Sequence, residues 1–419
     1  MSSFIIKDAR VFTGRTVYET GYVHVADGKI VAVGENEPTD TSPDLHVISR
    51  PGHTLLPGLI DCHVHADKGN ENALYQSIRF GVTTVCDMHN EPWNIEKLRK
   101  LAGSSKEVSD LKAAGLAATV DGGWPMPVVT AHDKSQETLD EIKTWPKLKN
   151  EEDVETYLDS NVGNGADFIK LMNESGSFMG KVFPRPSPAL QAALVRGAHA
   201  RGLKTTAHAL SRDDTLGILR AGTDGLAHTF VDKPINDEIV DAFKTNNAWL
   251  NPTLSTIGSM CSEGKAMQHQ YAHDPRIQNL CATAEREKTC KCLSMATESC
   301  KWEYAFGAVK KLKAEGIDIV CGSDSAGPAL GTAYGLTMHQ ELALFVQKCT
   351  FSPEEALRAA TATIADRFGF NDRGVLETGR RADLMLVEGN PLEDIDNTLN
   401  LRGVWREGHL HSIWTEKKA

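Results

Sequence analysis

The chain has 419 residues, 41% of them hydrophobic, which is enough for two domains or for one large barrel with an appendage. Lys plus Arg number 45 against 56 Asp plus Glu, a formal charge of −11 without a basic track, and this disfavours a nucleic-acid partner. No apolar run reaches the ~18 residues of a membrane span, the first residues lack the order of a secretory signal, and the nine cysteines read as reduced thiols of a cytoplasmic protein.

Residues 1–57 hold short alternating strands: FIIKDARVFTG, YVHVADGKIVAVGE and HVISRPGHTLLPG. Within the second of these, between VHVA and KIVAVG, Asp27-Gly28 predicts a hairpin turn. Over 58–366 strands alternate with helical stretches, the pattern of a parallel sheet with crossovers. Eight strands are predicted: 59–65, 82–88, 115–120, 167–172, 203–209, 225–228, 248–253 and 318–324. Helices are predicted between most of them, as over 188–202 and 212–222. Eight alternations suit an α/β fold, the (β/α)8 TIM barrel, whose chemistry sits where the strands end.

The polar, cysteine-rich stretch 255–302 interrupts this rhythm. It is expected to be either a helical lid over the strands' carboxyl ends or a surface excursion without a catalytic part. Its Cys290, Cys292 and Cys300 lack the second C-x2-C arm of a usual structural zinc site. Met338, His339 and Glu341, on a helix past the eighth strand, are expected on the barrel's exterior. Residues 367–419 return to the β-rich style in GVLETGRRADLMLVEGNP and LRGVWREGHLHSIW, so both termini are expected to build one small β-sandwich beside the barrel.

Metal-liganding residue types close five of the predicted strands: His63 and His65 in LIDCHVH, Lys170 in DFIKLM, His208 in TTAHA, His228 in GLAHT and Asp324 in VCGSDS. His63 and His65 are two apart on a strand, so their imidazoles face one way. His208 and His228 are separated by one helix plus one strand, which places them on neighbouring strands; the plain alternative is two core histidines satisfied by backbone. An ionised Asp324 at a strand's inner end needs a compensating charge, which a cation supplies. Burial pushes the pKa of Lys170 down, and its neutral amine can then react with carbon dioxide to give a carbamate that bridges two cations. The alternative is a lysine paired with an acid or reaching the surface.

These motifs resemble the amidohydrolase superfamily across essentially the whole chain. DGKIVAVGE through PGLIDCHVH is similar to its N-terminal signature, and GVLETGRRADLMLVEGNPLEDI to its C-terminal sandwich segment. GADFIKLM, AHARGLKTTAHA, AGTDGLAH and GSDS resemble a subgroup that holds Xaa-Pro dipeptidases, N-acyl-amino-acid carboxypeptidases and ochratoxinase, with imidazolonepropionase more distant. The resemblance implies a barrel with a β-sandwich and two divalent ions, zinc in most members, bridged by a carboxylated lysine. His63, His65 and Asp324 would hold one ion, His208 and His228 the other, and carboxylated Lys170 would bridge them.

The implied function is hydrolysis of a C–N amide bond by metal-bound hydroxide, in an N-acyl amino acid, an Xaa-Pro-type dipeptide or an ochratoxin-like aryl amide. Asp324 would shuttle the proton and His228 would assist the oxyanion. The alternatives are a cyclic-amide hydrolase or deaminase of the imidazolonepropionase type, a metal-dependent decarboxylase, and a scaffold that lost catalysis, which the full ligand set argues against. The chain departs from the subgroup at MNESGS (172–177), at Leu210 in place of a tyrosine, and at DGGWP (121–125), where Trp124 replaces a histidine. Residues expected to face the substrate are His89, Trp124, Glu174, Ser175, Asn251 and Ser325. A small molecule is the expected partner, with neither membrane nor nucleic acid, and a homo-oligomer is left open.

Overall fold

The computed structural model describes residues 3–35 and 45–415. The chain begins with β1 (Phe4–Phe12), β2 (Val17–Ala26), β3 (Lys29–Glu35), β4 (His46–Ser49) and β5 (His53–Pro57). The predicted hairpin joins β2 to β3: Asp27 and Gly28 take φ of 50° and 75°, the left-handed pair that a tight strand turn requires. Barrel strands follow as β6 (Leu59–His65), β7 (Val82–Asp87), β8 (Asp110–Ala113), β9 (Ile169–Met172), β10 (Thr205–His208), β11 (Gly225–Ala227), β12 (Trp249–Asn251) and β13 (Ser325–Ala326). The chain closes with β14 (Leu384–Glu388), β15 (Leu401–Arg406) and β16 (His409–Leu410).

Strands from both ends share one eight-stranded sheet, ordered β16-β15-β14-β5-β1-β2-β3 with β4 also on β1. Phe4, Ile6, Val23, Ile30, Leu55, Leu384 and Trp405 form a core that belongs to this sheet. The barrel strands run parallel in two sets, β13-β6-β7-β8 and β12-β11-β10-β9. Single bridges join the sets at both seams, Ala118 to Leu171 and Leu250 to Ile319, so the ring of strands is closed. Nearly every residue of these strands is buried, as in parallel sheets covered on both faces.

Two predicted strands are displaced. The third was expected over 115–120, but Asp110–Ala113 pairs with β7, and 115–120 contributes the bridge at Ala118. Its polar residues hid it: Lys112 reaches down to Asp167 Oδ1 at 2.9 Å. The eighth was expected over 318–324. Val320 does donate to the Leu250 carbonyl, at 2.9 Å, but regular pairing with β6 is confined to Ser325–Ala326. The interruption lies at Asp324, whose φ of 53° is incompatible with a strand.

Helices between the strands include α1 (Asn72–Arg79), α2 (Pro92–Ser104), α3 (Met126–His132), α4 (Gln136–Thr144), α5 (Glu151–Gly163), α6 (Pro188–Ala200), α7 (Arg212–Arg220) and α8 (Asp237–Asn246). The starts of the predicted pair are set by caps: Ser187 accepts from Leu190 N ahead of Pro188, and Ser211 accepts from Asp214 N. The 255–302 stretch contains most of α9 (Leu254–Met260), all of α10 (Lys265–Ala272) and α11 (Thr283–Thr289), and ends at α12 (Trp302–Ala314). On α13 (Leu336–Cys349), Met338, His339 and Glu341 are buried, turned inward from this helix and away from solvent. Glu341 accepts hydrogen bonds from Leu254 N and Ser255 N at 2.7 and 2.8 Å and so holds the start of α9. Among the described residues, no helix is long and apolar enough to cross a membrane.

Candidate metal centre

His63 and His65 end β6, Lys170 lies in β9, His208 ends β10, and His228 and Asp324 follow β11 and the eighth strand segment. These carboxyl ends bring the side chains together. Asp324 Oδ1 lies 3.3 Å from both His63 Nε2 and His65 Nε2, and its Oδ2 lies 3.9 Å from His228 Nδ1. Ring centroids are 4.8 Å apart for His63 and His228, and 4.7 Å for His208 and His228. The donor atoms of His63, His65 and Asp324 all lie within 4.8 Å of one another. His228 and Asp324 both adopt positive φ, 81° and 53°, a backbone cost that bonds from His228 N to Asn251 O and from Asp324 N to His63 O (2.7 Å each) help to hold.

Lys170 is 1% exposed, and among the described residues its Nζ finds no hydrogen-bond partner. Burial pushes its pKa down to about 7, with Asp324 opposing. Burial, then Lys170, holds His63 well below the usual imidazole range, and burial takes His208 down to about 3. Burial lowers His65 as well, but the bond to Asp324 and the charges of Asp324, Asp67 and Asp87 together outweigh it and the net direction is up. His63, His208 and His228 are therefore neutral imidazoles, the form that ligates a cation. A cluster of imidazoles and one carboxylate around an orphaned, buried amine fits a divalent cation, which would supply the charge that these groups leave unbalanced.

A cavity of about 470 Å³ opens on this cluster. His65, Lys170, His208, His228 and Asp324 line it, beside Trp124, Val128, Val129 and Trp145. Thr256, Met260, Leu293 and Met295 from the 255–302 stretch form another part of its wall. Of the residues expected to face the substrate, His89 and Trp124 line the cavity. His89 Nδ1 accepts from Ala117 N at 2.9 Å, so Nε2 carries the proton, and Trp124 stacks on His208 with centroids 5.0 Å apart.

The other four are committed elsewhere. Glu174 Oε2 lies 3.2 Å from His208 Nε2, and burial raises the Glu174 carboxyl to about 8. Ser175 Oγ donates to Asp214 Oδ2 at 2.6 Å, in a separate, smaller pocket. Asn251 Oδ1 accepts from His63 Nδ1 at 3.2 Å, behind the cluster. Ser325 is fully buried and bonded to Ser323.

Sequence reasoning missed several residues of the site. Asp61 lies below His63 and accepts from Ser323 N, Ser323 Oγ and His63 N; burial raises its carboxyl to about 7. Thr253 Oγ1 is 2.7 Å from His228 Nδ1. Glu91 joins the cavity wall while accepting from Trp145 Nε1 at 2.8 Å. Of these, Asp61 alone was findable, as an acid inside the apolar run that ends in His63 and His65.

Comparison with known proteins agrees with this architecture. Over 126 residues the chain is 32% identical to an imidazolonepropionase of Streptococcus sanguinis, a match that covers 30% of this chain and 25% of that protein's length. A solved Xaa-Pro dipeptidase with bound methionine superposes with a TM-score of 0.76 at 22% identity, over 98% of this chain and 99% of that one. The ochratoxinase of A. niger superposes with a TM-score of 0.74 at 20% identity, over 100% and 99%. The model of the amidohydrolase family matches residues 54–411, and with that match the chain belongs to the amidohydrolase family.

Proposed function

We propose that this protein is a binuclear metal-dependent amidohydrolase that cleaves a C–N amide bond in a small molecule. The observation that carries this reading is the buried Lys170 amine, without a hydrogen-bond partner among the described residues, in the midst of four histidines and an aspartate. His63, His65 and Asp324 would hold one cation, His208 and His228 the second, and Lys170, carboxylated by carbon dioxide, both. The cations, zinc in the first instance, would supply Lewis acidity towards the carbonyl and a water of lowered pKa.

The chain's own residues do the rest. Asp324 faces the cavity and is placed to take the proton from the attacking water and return it to the leaving nitrogen. His228, its Nδ1 held at Thr253 Oγ1, has Nε2 left, which would serve the second cation or, in a one-cation centre, the developing oxyanion. His89, with a buried Nε2 proton that no described residue accepts, forms part of the cavity wall against Trp145. Trp124, Trp145, Met260, Leu293 and Met295 exclude water and suit an aryl or other apolar group, which favours the aryl amide among the expected substrates. Lys170→Ala tests this reading directly: it is expected to abolish turnover in a liberated-amine assay and to lower the metal content of the protein. Full turnover in that variant would refute the two-cation reading.

A second reading is favoured by one observation. His208 Nε2 faces Glu174, whereas the donors of His63, His65 and Asp324 converge within 4.8 Å. A mononuclear centre of the kind expected for cyclic-amide hydrolysis would use that triad alone. Metal content separates the two: unchanged metal content in Lys170→Ala favours the mononuclear centre.

A further inference from the structure

The excursion between β12 and β13 carries a cluster that the buried centre does not use. His269 lies on α10 and His273 ends it one turn later, so their imidazoles leave the same face. The rings stack with centroids 4.1 Å apart and planes 24° from parallel. Cys290, at the end of α11, brings its Sγ to 3.9 Å from His273 Nδ1. One nitrogen of each histidine and the cysteine sulfur all lie within 4.8 Å of one another. Tetrahedral zinc, with bonds of ~2.0–2.3 Å, places such ligands roughly 3.3–3.7 Å apart, so small side-chain rotations close the site.

The surroundings suit ligation. His273 Nδ1, the nitrogen 3.9 Å from Cys290 Sγ, also lies 2.9 Å from the His269 carbonyl, so ligation at Nδ1 gives up that bond and ligation at Nε2 keeps it. Both histidines are exposed and Cys290 is half-buried, so a cation reaches them without passing through the barrel. The neighbouring cysteines are occupied: Cys292 Sγ donates to Gln268 Oε1 at 3.1 Å, and Cys300 Sγ to the Phe178 carbonyl at 3.5 Å.

We propose that His269, His273 and Cys290 bind a divalent transition cation, zinc foremost, at a thiolate-containing site apart from the buried centre. Binding joins α10 to the chain that leaves α11. As the sulfur–metal bond forms, the Cys290 thiol releases its proton to solvent, and a water can complete the coordination. The site bears on the cavity, because Leu293 and Met295, shortly after Cys290, form part of its wall. Their backbone is tied to α9 through Leu293 N to Ser259 Oγ at 2.9 Å and Met295 N to Met260 O at 2.9 Å.

Cobalt(II) added to the full-length protein tests the proposal. A thiolate-to-cobalt charge-transfer band in the near ultraviolet is expected, and none of the ligands assigned to the buried centre can produce it. Cys290→Ser should remove the band and one metal equivalent per chain, while Cys292→Ser should keep both. His269→Ala and His273→Ala, at exposed positions, should each weaken cobalt binding at this site at least tenfold, and they carry the test should Cys290→Ser not fold. Absence of the band in the unmodified protein, its persistence at full strength in Cys290→Ser, or unchanged affinity in both histidine variants would overturn the proposal. Because the band reports thiolate alone, the result is independent of whether Lys170→Ala abolishes turnover.

Discussion

Asn251 shows what a single side chain does one step back from the chemistry. Its Oδ1 accepts from His63 Nδ1 at 3.2 Å, which fixes the tautomer and turns the Nε2 lone pair towards Asp324. Thr253 Oγ1, 2.7 Å from His228 Nδ1, holds the orientation of that ring. Such outer partners are worth about 10- to 100-fold in metal affinity or activity. Asn251→Ala is therefore expected to weaken metal binding or turnover by about that factor while leaving the fold intact, as read by competition with a chelator and by circular dichroism. Unchanged metal affinity and turnover would mean that His63 needs no such orientation. At this scale the ligand-type residues were legible because each closes or interrupts an apolar run, where a charged or basic group has to justify its burial. Asn251 and Glu174 close runs in the same way, yet one backs His63 and the other faces His208, and that difference lies in distances that strand order alone does not set.

Asp110 opens β8 at the foot of the barrel and holds the C-terminal strands to it. Its Oδ2 lies 2.7 Å from Arg373 and 2.6 Å from Arg381, and its Oδ1 3.1 Å from Arg406. Arg406 also donates to the carbonyls of Ala102, Ser105 and Val108. Removing the acid would leave three largely buried guanidiniums facing one another, and breaking a buried ion pair costs about 3–5 kcal/mol. Asp110→Ala is expected to lose about 3 kcal/mol of unfolding free energy, the low end because Asp110 is itself partly exposed, with turnover per folded molecule retained. Urea titration decides it, and a loss below about 1 kcal/mol would show that the cluster is dispensable. The same group predicts acid sensitivity. Burial raises the Asp110 carboxyl, but the three arginines outweigh burial and hold it well below its ordinary value. The stability it contributes is present above the unfolded pKa of about 3.9 and falls away as pH drops towards the folded one. Strand β8 was also the element hardest to find in the sequence: its ends answer to ion pairs at the barrel's foot, and an apolar-run criterion passes over DLKA in favour of the next hydrophobic stretch.

For the whole molecule, the formal charge of −11 gains meaning at the cavity. Asp67, Glu91, Asp133 and Glu141 all line it. Among the described residues its lysines are Lys170, in the centre, and Lys68, which is paired with Asp133 at 2.8 Å. Apart from the charge of the cations themselves, the cavity wall is therefore negative, and a substrate that carries a carboxylate on the part facing that wall meets repulsion which salt screens over a Debye length of ~10 Å at 0.1 M. For a matched pair of amides, one bearing a carboxylate on the leaving amine and one without it, kcat/KM of the anionic member is expected to rise several-fold between low and high salt. The neutral member should stay flat. Glu141 adds a pH signature: burial, then Glu91, raises its carboxyl to about 7, so the repulsion grows as pH climbs through that value. Glu141→Gln should remove this increment and leave the salt dependence of the other acids in place. If both amides respond to salt and pH alike, the acids of the cavity wall play no part in choosing the substrate, and the preference must come from the apolar wall alone.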